Sequence, residues 1–316
     1  MEIAVLDALT LGNDVNLKIF EKYGNLTIFK TTSEFELDNR ISNADIVISN
    51  KVVLNQNAIE KSAKLKLICV AATGYNNINI EAARRKGIVV SNVRNYSTEG
   101  VAQHTFSLIL ALENSLFDYV SNTRSGLWAK SPVFTMLNHP FNEIKGKKLG
   151  IIGYGSIGRR VAEIARAFGM HILIGKRKGI VYEGQERMEL DVLFRETDIL
   201  TIHTPLSDNT LNLITMRELE LMKTSAILIN VARGGIVNEK DLYAALKKKT
   251  IRAAAIDVSE IEPIKPENPL PALENLLITP HMAWASYQSR IRLIEGIMHN
   301  IDKFINGQGA DINLAI

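Results

Sequence analysis

The sequence contains a single cysteine, Cys69, in 316 residues, and it lies within an apolar run. No disulfide can form within the chain, and we expect a buried structural thiol and not a nucleophile. This cysteine usage predicts a reducing, cytoplasmic location. The chain begins on the strand-like run Ile3–Leu6, so no secretory signal is expected. No apolar run approaches the roughly 18 residues that a membrane-spanning helix needs, so no membrane partner is predicted.

The net charge of the chain is also small. The 37 Lys and Arg residues nearly balance the 34 Asp and Glu residues, and a formal charge of +3 is too small to predict binding to nucleic acid. Metal-ligand spacings, the G-x-S-x-G turn of serine hydrolases and the phosphate-binding loop of kinases are all missing. These absences argue against metallohydrolase, serine hydrolase and kinase activities, and no metal site is predicted.

What the sequence does contain is a regular alternation of short β-rich runs and helical patterns. Its length predicts two domains, each with its own core. Continuous apolar strands separated by helices predict parallel sheets that are covered on both faces. The candidate strands are Ile3–Leu6, Leu26–Phe29, Asp45–Ser49, Leu65–Ala71, Ile88–Ser91, Lys148–Gly153, His171–Ile174, Asp198–His203, Ala226–Val231, Ala253–Val258 and Leu276–Thr279.

The strands predict an α/β fold with two doubly wound parallel sheets. The first five indicate a small flavodoxin-like substrate domain, and the last six match a Rossmann dinucleotide-binding domain. Long helical patterns, Thr98 to about Asn122 and about Ala285 to Ile305, are expected to join the domains. The second would return the chain to the first domain. We therefore predict a discontinuous substrate domain, 1–97 plus 286–316, and a cofactor domain, 98–285.

A glycine-rich turn follows the first strand of the second half, with Gly153, Gly155 and Gly158 in the spacing G-x-G-x-x-G. In such a turn the first glycine permits the tight bend, the second lets backbone approach a pyrophosphate, and the third lets the helix pack on its strand. The helix from about Ser156 would point its free N–H groups at the phosphates. A strand before the turn and a strand after the helix complete the pattern, which predicts dinucleotide binding.

Every candidate strand of the second half ends in polar or glycine-rich sequence, and ligands of open α/β sheets bind at that edge. Three side chains there suit a nicotinamide enzyme that acts on a hydroxy acid. Arg233 can bind a carboxylate bidentately. His281 can act as an acid or base near neutral pH, and Glu262 can orient its imidazole and favour the protonated form.

The residues alone leave alternatives to this set. Glu260 is an acidic neighbour of Glu262 and could take its role. His203 and His104 could serve as the acid or base in place of His281. Each of these two histidines also has a credible structural role, so both rank lower.

The chain resembles the D-isomer-specific 2-hydroxyacid dehydrogenases over nearly its whole length. The matching stretches are residues 71–77, 96–105, 153–158, 230–235, 257–263 and 280–286. The resemblance implies that Arg233, Glu262 and His281 are the catalytic residues. It favours Glu262 over Glu260, because Glu262 stands five residues after Asp257.

The resemblance also implies binding residues and a partner. Backbone amides at Thr73, Gly74 and Tyr75 would bind the substrate carboxylate together with Arg233, and Asp257 would meet the nicotinamide carboxamide. Subunits would form a homodimer through the cofactor domain, with the segment Asn122–Lys145, including Trp128, in the contact. The predicted cofactor-binding residues are Thr105, Gly153, Gly155, Ser156, Ile157, Gly158, Lys176, Arg177, Lys178, Thr204, Pro205, Ala232, Asp257, His281 and Ala283.

One position departs from the pattern of many relatives, which place an acidic residue for the ribose hydroxyls of NAD at the end of the second strand. Here that position, 23 residues after Gly153, is Lys176, followed by Arg177 and Lys178. Cations attract the 2′-phosphate of NADP, so NADP or dual use is favoured over NAD. The alternative is a basic turn that leaves NAD bound through other contacts.

Within the family, residues 71–77, 101–105 and 283–286 most resemble glycerate dehydrogenases, also called hydroxypyruvate reductases. The expected reaction is the reversible reduction of hydroxypyruvate or glyoxylate to D-glycerate or glycolate by NAD(P)H. Alternatives are a D-2-hydroxyacid dehydrogenase for D-lactate or a bulkier acid, and a nucleotide-sensing, corepressor-like scaffold without catalysis. The intact Arg–Glu–His set weighs against the scaffold.

Overall fold

The computed structural model describes residues 1–176 and 186–307 of the chain. These residues divide into two compact units, Met1–Ser97 with the chain from Trp284 onward, and Thr98–Ala283. Each unit is built on its own parallel sheet with helices between successive strands. The predicted α/β class with two doubly wound parallel sheets is therefore confirmed.

The sheet of the first unit has five parallel strands in the order β2-β1-β3-β4-β5, which is the flavodoxin-like order. Its strands are β1 Glu2–Val5, β2 Asn25–Ile28, β3 Ile46–Ser49, β4 Leu67–Val70 and β5 Val89–Ser91. The helices between them are α1 Glu34–Ile41, α2 Gln56–Lys61 and α3 Ile80–Arg85, with 3-10 turns at Ala8–Leu11 and Leu17–Tyr23. Asn55 and Asn79 are the N-cap residues of α2 and α3, and the side chain of each accepts the backbone N–H of the third residue of its helix.

The sheet of the second unit has six parallel strands in the order β11-β10-β9-β8-β6-β7. Its strands are β6 Lys148–Ile152, β7 His171–Ile174, β8 Ile199–Ile202, β9 Ile227–Asn230, β10 Ala253–Ile256 and β11 Leu276–Ile278. Its helices are α4 Thr98–Glu113, α5 Leu116–Arg124, α6 Ser156–Ala167, α7 Leu190–Glu196, α8 Met216–Leu221 and α9 Glu239–Lys247, with 3-10 turns at Trp128–Lys130 and Leu270–Ala272.

The edge of the second sheet next to β7 has a short additional pairing that is not part of the six named strands. Beyond β7, an isolated parallel bridge pairs Gly175 with Met188. This bridge occupies the place of the third strand in the Rossmann order 3-2-1-4-5-6. The position next to β7, which is a full strand in the Rossmann order, is therefore reduced to this bridge. The sixth named strand is an additional one, β11, at the opposite edge of the sheet.

The long helix expected from Thr98 to about Asn122 is two helices, α4 and α5. The break lies at Ser115, whose φ of 46° is outside the helical range. Helix α4 ends at Glu113, whose buried carboxylate lies 2.6 Å from Lys147 Nζ and 2.9 Å from Arg252 Nη2. This anchoring and the polar Asn114–Ser115 step, which favours helix ends over helix interiors, account for the break.

The last helix, α10 Tyr287–Ile305, belongs to the first unit. It begins at Ser286, whose side chain accepts the N–H of Ser289. Its apolar face, including Leu293 and Ile297, joins the core on one face of the first sheet, and helices α1 to α3 cover the other face. The sheet is thereby covered on both sides, as its continuously apolar strands require.

In the second unit, α4 and α6 pack together, and α4 lies on β9 and β10. A large apolar core including Leu200, Leu228 and Leu242 joins the strands to α7, α8 and α9. Every residue of β8, β9 and β10 is buried. Within the described parts of the chain, no helix is both long and apolar enough to span a membrane.

Candidate active site

The six strands of the second unit run in one direction, so their carboxyl ends meet along one edge of the sheet. The glycine turn follows β6 and Lys176 lies just beyond β7. The chain reaches His203 after β8, Arg233 after β9, Asp257 after β10 and His281 after β11. Most of the predicted catalytic and cofactor residues of this unit therefore lie along the edge where ligands of such sheets bind.

The glycine turn is shaped by close backbone contacts. Gly153 has a φ of +92°, and a Cβ there would lie 2.5 Å from the carbonyl carbon of His203. A Cβ at Gly158 would lie 2.2 Å from the Gly153 carbonyl oxygen, whereas at Gly155 it would meet nothing within 4 Å. The turn therefore has open space beside Gly155, where a ligand can approach backbone.

Helix α6 begins directly after this turn, with Gly155 as its N-cap residue. The N–H groups of the first turn, including those of Ser156 and Ile157, have no partners within the helix. Such a helix N-terminus binds phosphate through its N–H groups and dipole. The turn and the start of α6 fit the pyrophosphate of a dinucleotide.

The other predicted cofactor residues are more dispersed. Thr204 and Pro205 follow β8, and Ala232 follows β9. Thr105 lies in α4, fully buried, and its hydroxyl donates to the Val101 carbonyl. The Thr105 side chain is therefore already used within its own helix.

Lys176 has an acidic partner, Glu189, that is not adjacent to it in the sequence. Its Nζ lies 2.9 Å from Glu189 Oε1, in an ion pair exposed to solvent. Glu189 follows Met188, the residue that bridges to Gly175. Arg177 and Lys178 lie outside the described residues.

Arg233 lies in a turn that is organised by Asn230. The Asn230 side chain accepts the N–H of Ala232 at 3.1 Å and donates to the Arg233 carbonyl at 3.0 Å. Gly234 follows, and a Cβ there would lie 2.0 Å from the Ser259 carbonyl oxygen. The turn that carries the guanidinium therefore packs tightly against the turn after β10.

Glu262 and His281 are in direct contact. His281 Nδ1 lies 2.6 Å from Glu262 Oε2, and the other carboxylate oxygen, Oε1, accepts the N–H of Ser259 at 3.0 Å. Glu260 instead accepts the N–H of Glu239 at 3.3 Å. The structure brings together the imidazole and the carboxylate that the sequence paired, and Glu260 contacts a different element.

Asp257 holds the turn on which His281 lies. Its carboxylate is 1% exposed and accepts the Thr279 hydroxyl at 2.6 Å, the Met282 N–H at 2.9 Å and the Ala283 N–H at 2.8 Å. The oxygens of Asp257 are thus engaged within the chain. His281 itself has a φ of +53°, a conformation that costs energy in a residue with a side chain and needs such support.

The two alternative histidines have structural surroundings. His104 Nε2 lies 3.0 Å from the Thr279 hydroxyl, which in turn donates to Asp257, so His104 supports the same turn. His203 Nε2 lies 3.0 Å from the Thr201 hydroxyl. Burial lowers the pKa of His203 to about 3, so its imidazole is neutral near pH 7.

In the first unit, Thr73, Gly74 and Tyr75 follow β4 at the carboxyl edge of that sheet. The Thr73 hydroxyl donates to the Val93 carbonyl at 2.9 Å, and Asn92 Nδ2 donates to the Thr73 carbonyl at 2.6 Å. In residues 1–176 and 186–307, no acceptor takes a hydrogen bond from the three backbone N–H groups. The segment therefore contains three backbone N–H groups that are unpaired within these parts of the chain, the kind of donor that can bind an anion.

Sequence reasoning missed two residues that shape this site. Asn230 holds the Arg233 turn and Ser259 contacts Glu262. An asparagine two residues before Ala232 is the pattern of an Asx turn, so Asn230 could have been found. Ser259 carried no such signal, because its role depends on contacts across the fold.

The chain is similar to known dehydrogenases over its whole length. The profile of the family described as "D-isomer specific 2-hydroxyacid dehydrogenase, NAD binding domain" matches residues 106–283. A hydroxypyruvate reductase of Blautia hydrogenotrophica is 34% identical and covers 99% of both chains, and a glycerate dehydrogenase of Methylorubrum extorquens is 38% identical over 88% of both. Among solved structures, an acyclic imino acid reductase in complex with NADPH and D-Arg superposes with a TM-score of 0.87, 30% identity and 99% coverage of each chain.

Proposed function

The chain belongs to the D-isomer-specific 2-hydroxyacid dehydrogenase family, and we propose that it reduces hydroxypyruvate or glyoxylate to D-glycerate or glycolate with NAD(P)H. Its enzyme class, an oxidoreductase that forms D-2-hydroxy acids from small 2-oxo acids, follows from the family. The preference for these two substrates is the proposal. It is supported by similarity to a hydroxypyruvate reductase, a glycerate dehydrogenase and a glyoxylate reductase.

The observation that carries the proposed mechanism is the contact between His281 and Glu262 at the carboxyl edge of the cofactor-binding sheet. Because Nδ1 faces the carboxylate, Nε2 is left to hold a proton and give it to the substrate oxygen. Glu262 keeps the ring in one orientation and fixes which ring nitrogen faces the substrate. When bound, the nicotinamide supplies the hydride for the carbonyl carbon.

Two groups are proposed to bind the substrate carboxylate. The guanidinium of Arg233 is permanently charged and can bind it bidentately. The N–H groups of Thr73, Gly74 and Tyr75 in the first unit are proposed as the second, and their lack of an acceptor within the described residues supports this role. The glycine turn, Ser156, Ile157 and the residues after β8 and β9 are proposed to hold the dinucleotide.

A substrate panel tests the function. Hydroxypyruvate, glyoxylate, pyruvate and phenylpyruvate are each assayed with NADH and NADPH, and hydroxypyruvate or glyoxylate should have the highest kcat/KM. A higher value for pyruvate or phenylpyruvate would favour the D-lactate or bulky-acid alternative. Lack of turnover with all four would favour the scaffold.

The variant His281→Ala tests the catalytic assignment. Removal of a positioned proton donor should lower kcat by at least about 10²–10⁴-fold, while cofactor binding survives. Cofactor binding is measured separately by fluorescence titration. A near-wild-type kcat would reject the role of His281.

We propose that NADP(H), or both cofactors, are used. Lys176 and the two basic residues after it support this preference, and a structural neighbour holds NADPH. The contact of Lys176 with Glu189 moderates the positive charge. A kcat/KM preference of tenfold or more for NADH would refute the proposal, and Lys176→Ala should reduce kcat/KM for NADPH more than for NADH.

We also propose a homodimer formed through the second unit. Large apolar side chains are exposed between residues 116 and 141, including Phe134 at 90% and Leu137 at 78%. An apolar surface of this kind is typical of a protein interface. Light scattering should give twice the chain mass, and Leu137→Asp should shift it toward the monomer.

The single, buried Cys69 supports a location in the reducing cytoplasm.

A further inference from the structure

The turn that carries Glu262 is held by Glu239, a residue on a different element. Ser259 lies at the start of this turn and contacts both glutamates. Its N–H donates to Glu262 Oε1 at 3.0 Å, and its hydroxyl donates to Glu239 Oε1 at 2.6 Å. Ser259 therefore connects Glu262 to the first residue of α9.

The Glu239 carboxylate is an anchor for the turn on both sides of Glu262. Besides the Ser259 hydroxyl, Oε1 accepts the N–H of Glu260 at 2.6 Å, and Oε2 accepts Asn268 Nδ2 at 3.1 Å. Hydrogen bonds to an ionised carboxylate are stronger than those between neutral groups. One side chain thus fixes the chain before and after Glu262.

Glu239 is not needed to cap its own helix. Asn238 is the N-cap residue of α9, and its side chain accepts the N–H of Asp241 at 3.1 Å. The carboxylate of Glu239 is therefore available for the neighbouring turn.

The opposite side of the same turn is closed by backbone. A Cβ at Gly234 would lie 2.0 Å from the Ser259 carbonyl oxygen and 2.6 Å from the Glu260 nitrogen. The turn is therefore confined between the backbone after Arg233 and the carboxylate of Glu239. This confinement sets the position from which Glu262 Oε2 meets His281 Nδ1 at 2.6 Å.

We propose that Glu239 is a positioning residue for the reaction and acts through Ser259 on Glu262. The inference rests on the proposed roles of Glu262 and His281. Without Glu239, the Ser259–Glu262 turn loses its anchor, and Glu262 no longer holds the imidazole in one orientation. The imidazole is then less often aligned to give its proton to the substrate oxygen.

Three variants of the full-length enzyme test this role. Glu239→Ala should lower kcat for reduction by about 10- to 100-fold, as expected when a residue that orients a catalytic group is removed, with a cofactor KM within about twofold. Ser259→Ala keeps its N–H and should cause a smaller loss. Glu239→Gln keeps an Oε1 acceptor for Ser259 and Glu260 and should retain most of the activity.

The split between kcat and KM separates positioning from general loosening. In Glu239→Ala, kcat for reduction should fall while KM for the 2-oxo acid stays within about twofold, because the groups proposed to bind the substrate carboxylate are left in place. Glu267→Gln is the matched control. Glu267 lies next to Asn268, and its side chain makes no hydrogen bond in the described parts of the chain, so this variant should match the wild type.

A double variant decides whether Glu239 acts through Glu262. In the Glu262→Gln background, Glu239→Ala should cause no more than about a twofold further loss of kcat, since coupled residues are not additive. A full additional loss, or an unchanged kcat in Glu239→Ala, would overturn the inference alone. If Glu239→Ala does not fold, the kcat of Ser259→Ala decides in the same way. Wild-type kcat in both His281→Ala and Glu262→Gln would overturn the proposed mechanism and the inference with it.

Discussion

The replacement Gly153→Ala should destabilise the cofactor-binding unit before any ligand is added. Gly153 has a φ of +92°, where a residue with a side chain is strained by about 1–3 kcal/mol. The new Cβ would also lie 2.5 Å from the His203 carbonyl carbon and 2.7 Å from the Thr204 nitrogen. These are backbone atoms, which cannot rotate away as a flexible side chain can.

Overpacking of this kind costs about 1–3 kcal/mol more, so the total expected loss is about 2–6 kcal/mol. For a unit of this size, each kcal/mol lowers Tm by about 2–4 °C, which predicts a drop of roughly 4–24 °C. Differential scanning calorimetry of the cofactor-free protein measures it. The cofactor affinity should fall as well, because the displaced turn no longer presents the start of α6 to the phosphates.

Gly155→Ala is the matched control in the same turn. Gly155 has φ −81° and ψ −159°, a conformation that alanine adopts, and the space beside it is open. The loss of stability should stay within about 1 kcal/mol, the usual cost of alanine at an N-cap. The cofactor Kd should nevertheless rise at least about tenfold, because the Cβ occupies the approach to the pyrophosphate.

The two variants together test the account of the turn. Gly153→Ala is expected to lose both stability and cofactor affinity, and Gly155→Ala is expected to lose affinity alone. Equal losses of Tm in the two variants would refute the contact argument. Normal cofactor binding by Gly155→Ala, measured by fluorescence titration, would refute the placement of the pyrophosphate.

Three further predictions concern polar groups of the second unit. Burial lowers the pKa of His203 to about 3 from 6.5, so the unfolded chain takes up a proton that the folded chain does not. Stability should therefore fall below about pH 6.5 by up to about 1.4 kcal/mol per pH unit, and His203→Gln should show a shallower fall in urea unfolding; parallel curves would contradict this. Glu113→Gln removes the charge that pairs with Lys147 and Arg252 and should cost about 1–3 kcal/mol by thermal unfolding, whereas Glu99→Gln, in an exposed pair, should change little. Asp257→Asn turns an acceptor into a donor and should lower both Tm and kcat; wild-type values of both would contradict its role in holding the His281 turn.

The sequence was sufficient for the fold class and for the order of elements. Apolar runs of four to seven residues alternate with helical patterns, and this spacing leaves parallel sheets as the main solution. The same strands place Arg233, Asp257 and His281 after strand ends, so their common edge follows from topology alone. The predicted α/β class was therefore within reach of pattern reasoning.

Pattern reasoning was wrong for one long helix, where distant contacts add to a local preference for a helix end. Residues 98–122 read as one helix, but the anchoring of Glu113 by Lys147 and Arg252, together with the polar Asn114–Ser115 step, ends α4 there. The ion pair of Lys176 was not predicted, because the bridge of Met188 to Gly175 brings Glu189 beside it from 13 positions along the chain. In both cases the deciding partner is distant in sequence.

The sequence by itself determined which chemical groups are present and at which end of the sheet they lie, because strand direction and hydrophobic spacing are local properties. Only the tertiary structure decided that Glu262 meets His281, that Asp257 ties down the turn after β11, and that Glu239 reaches Ser259. These contacts join residues about 20 or more positions apart on different elements. Their geometry depends on how the turns pack against one another, and no local pattern in the chain encodes that packing.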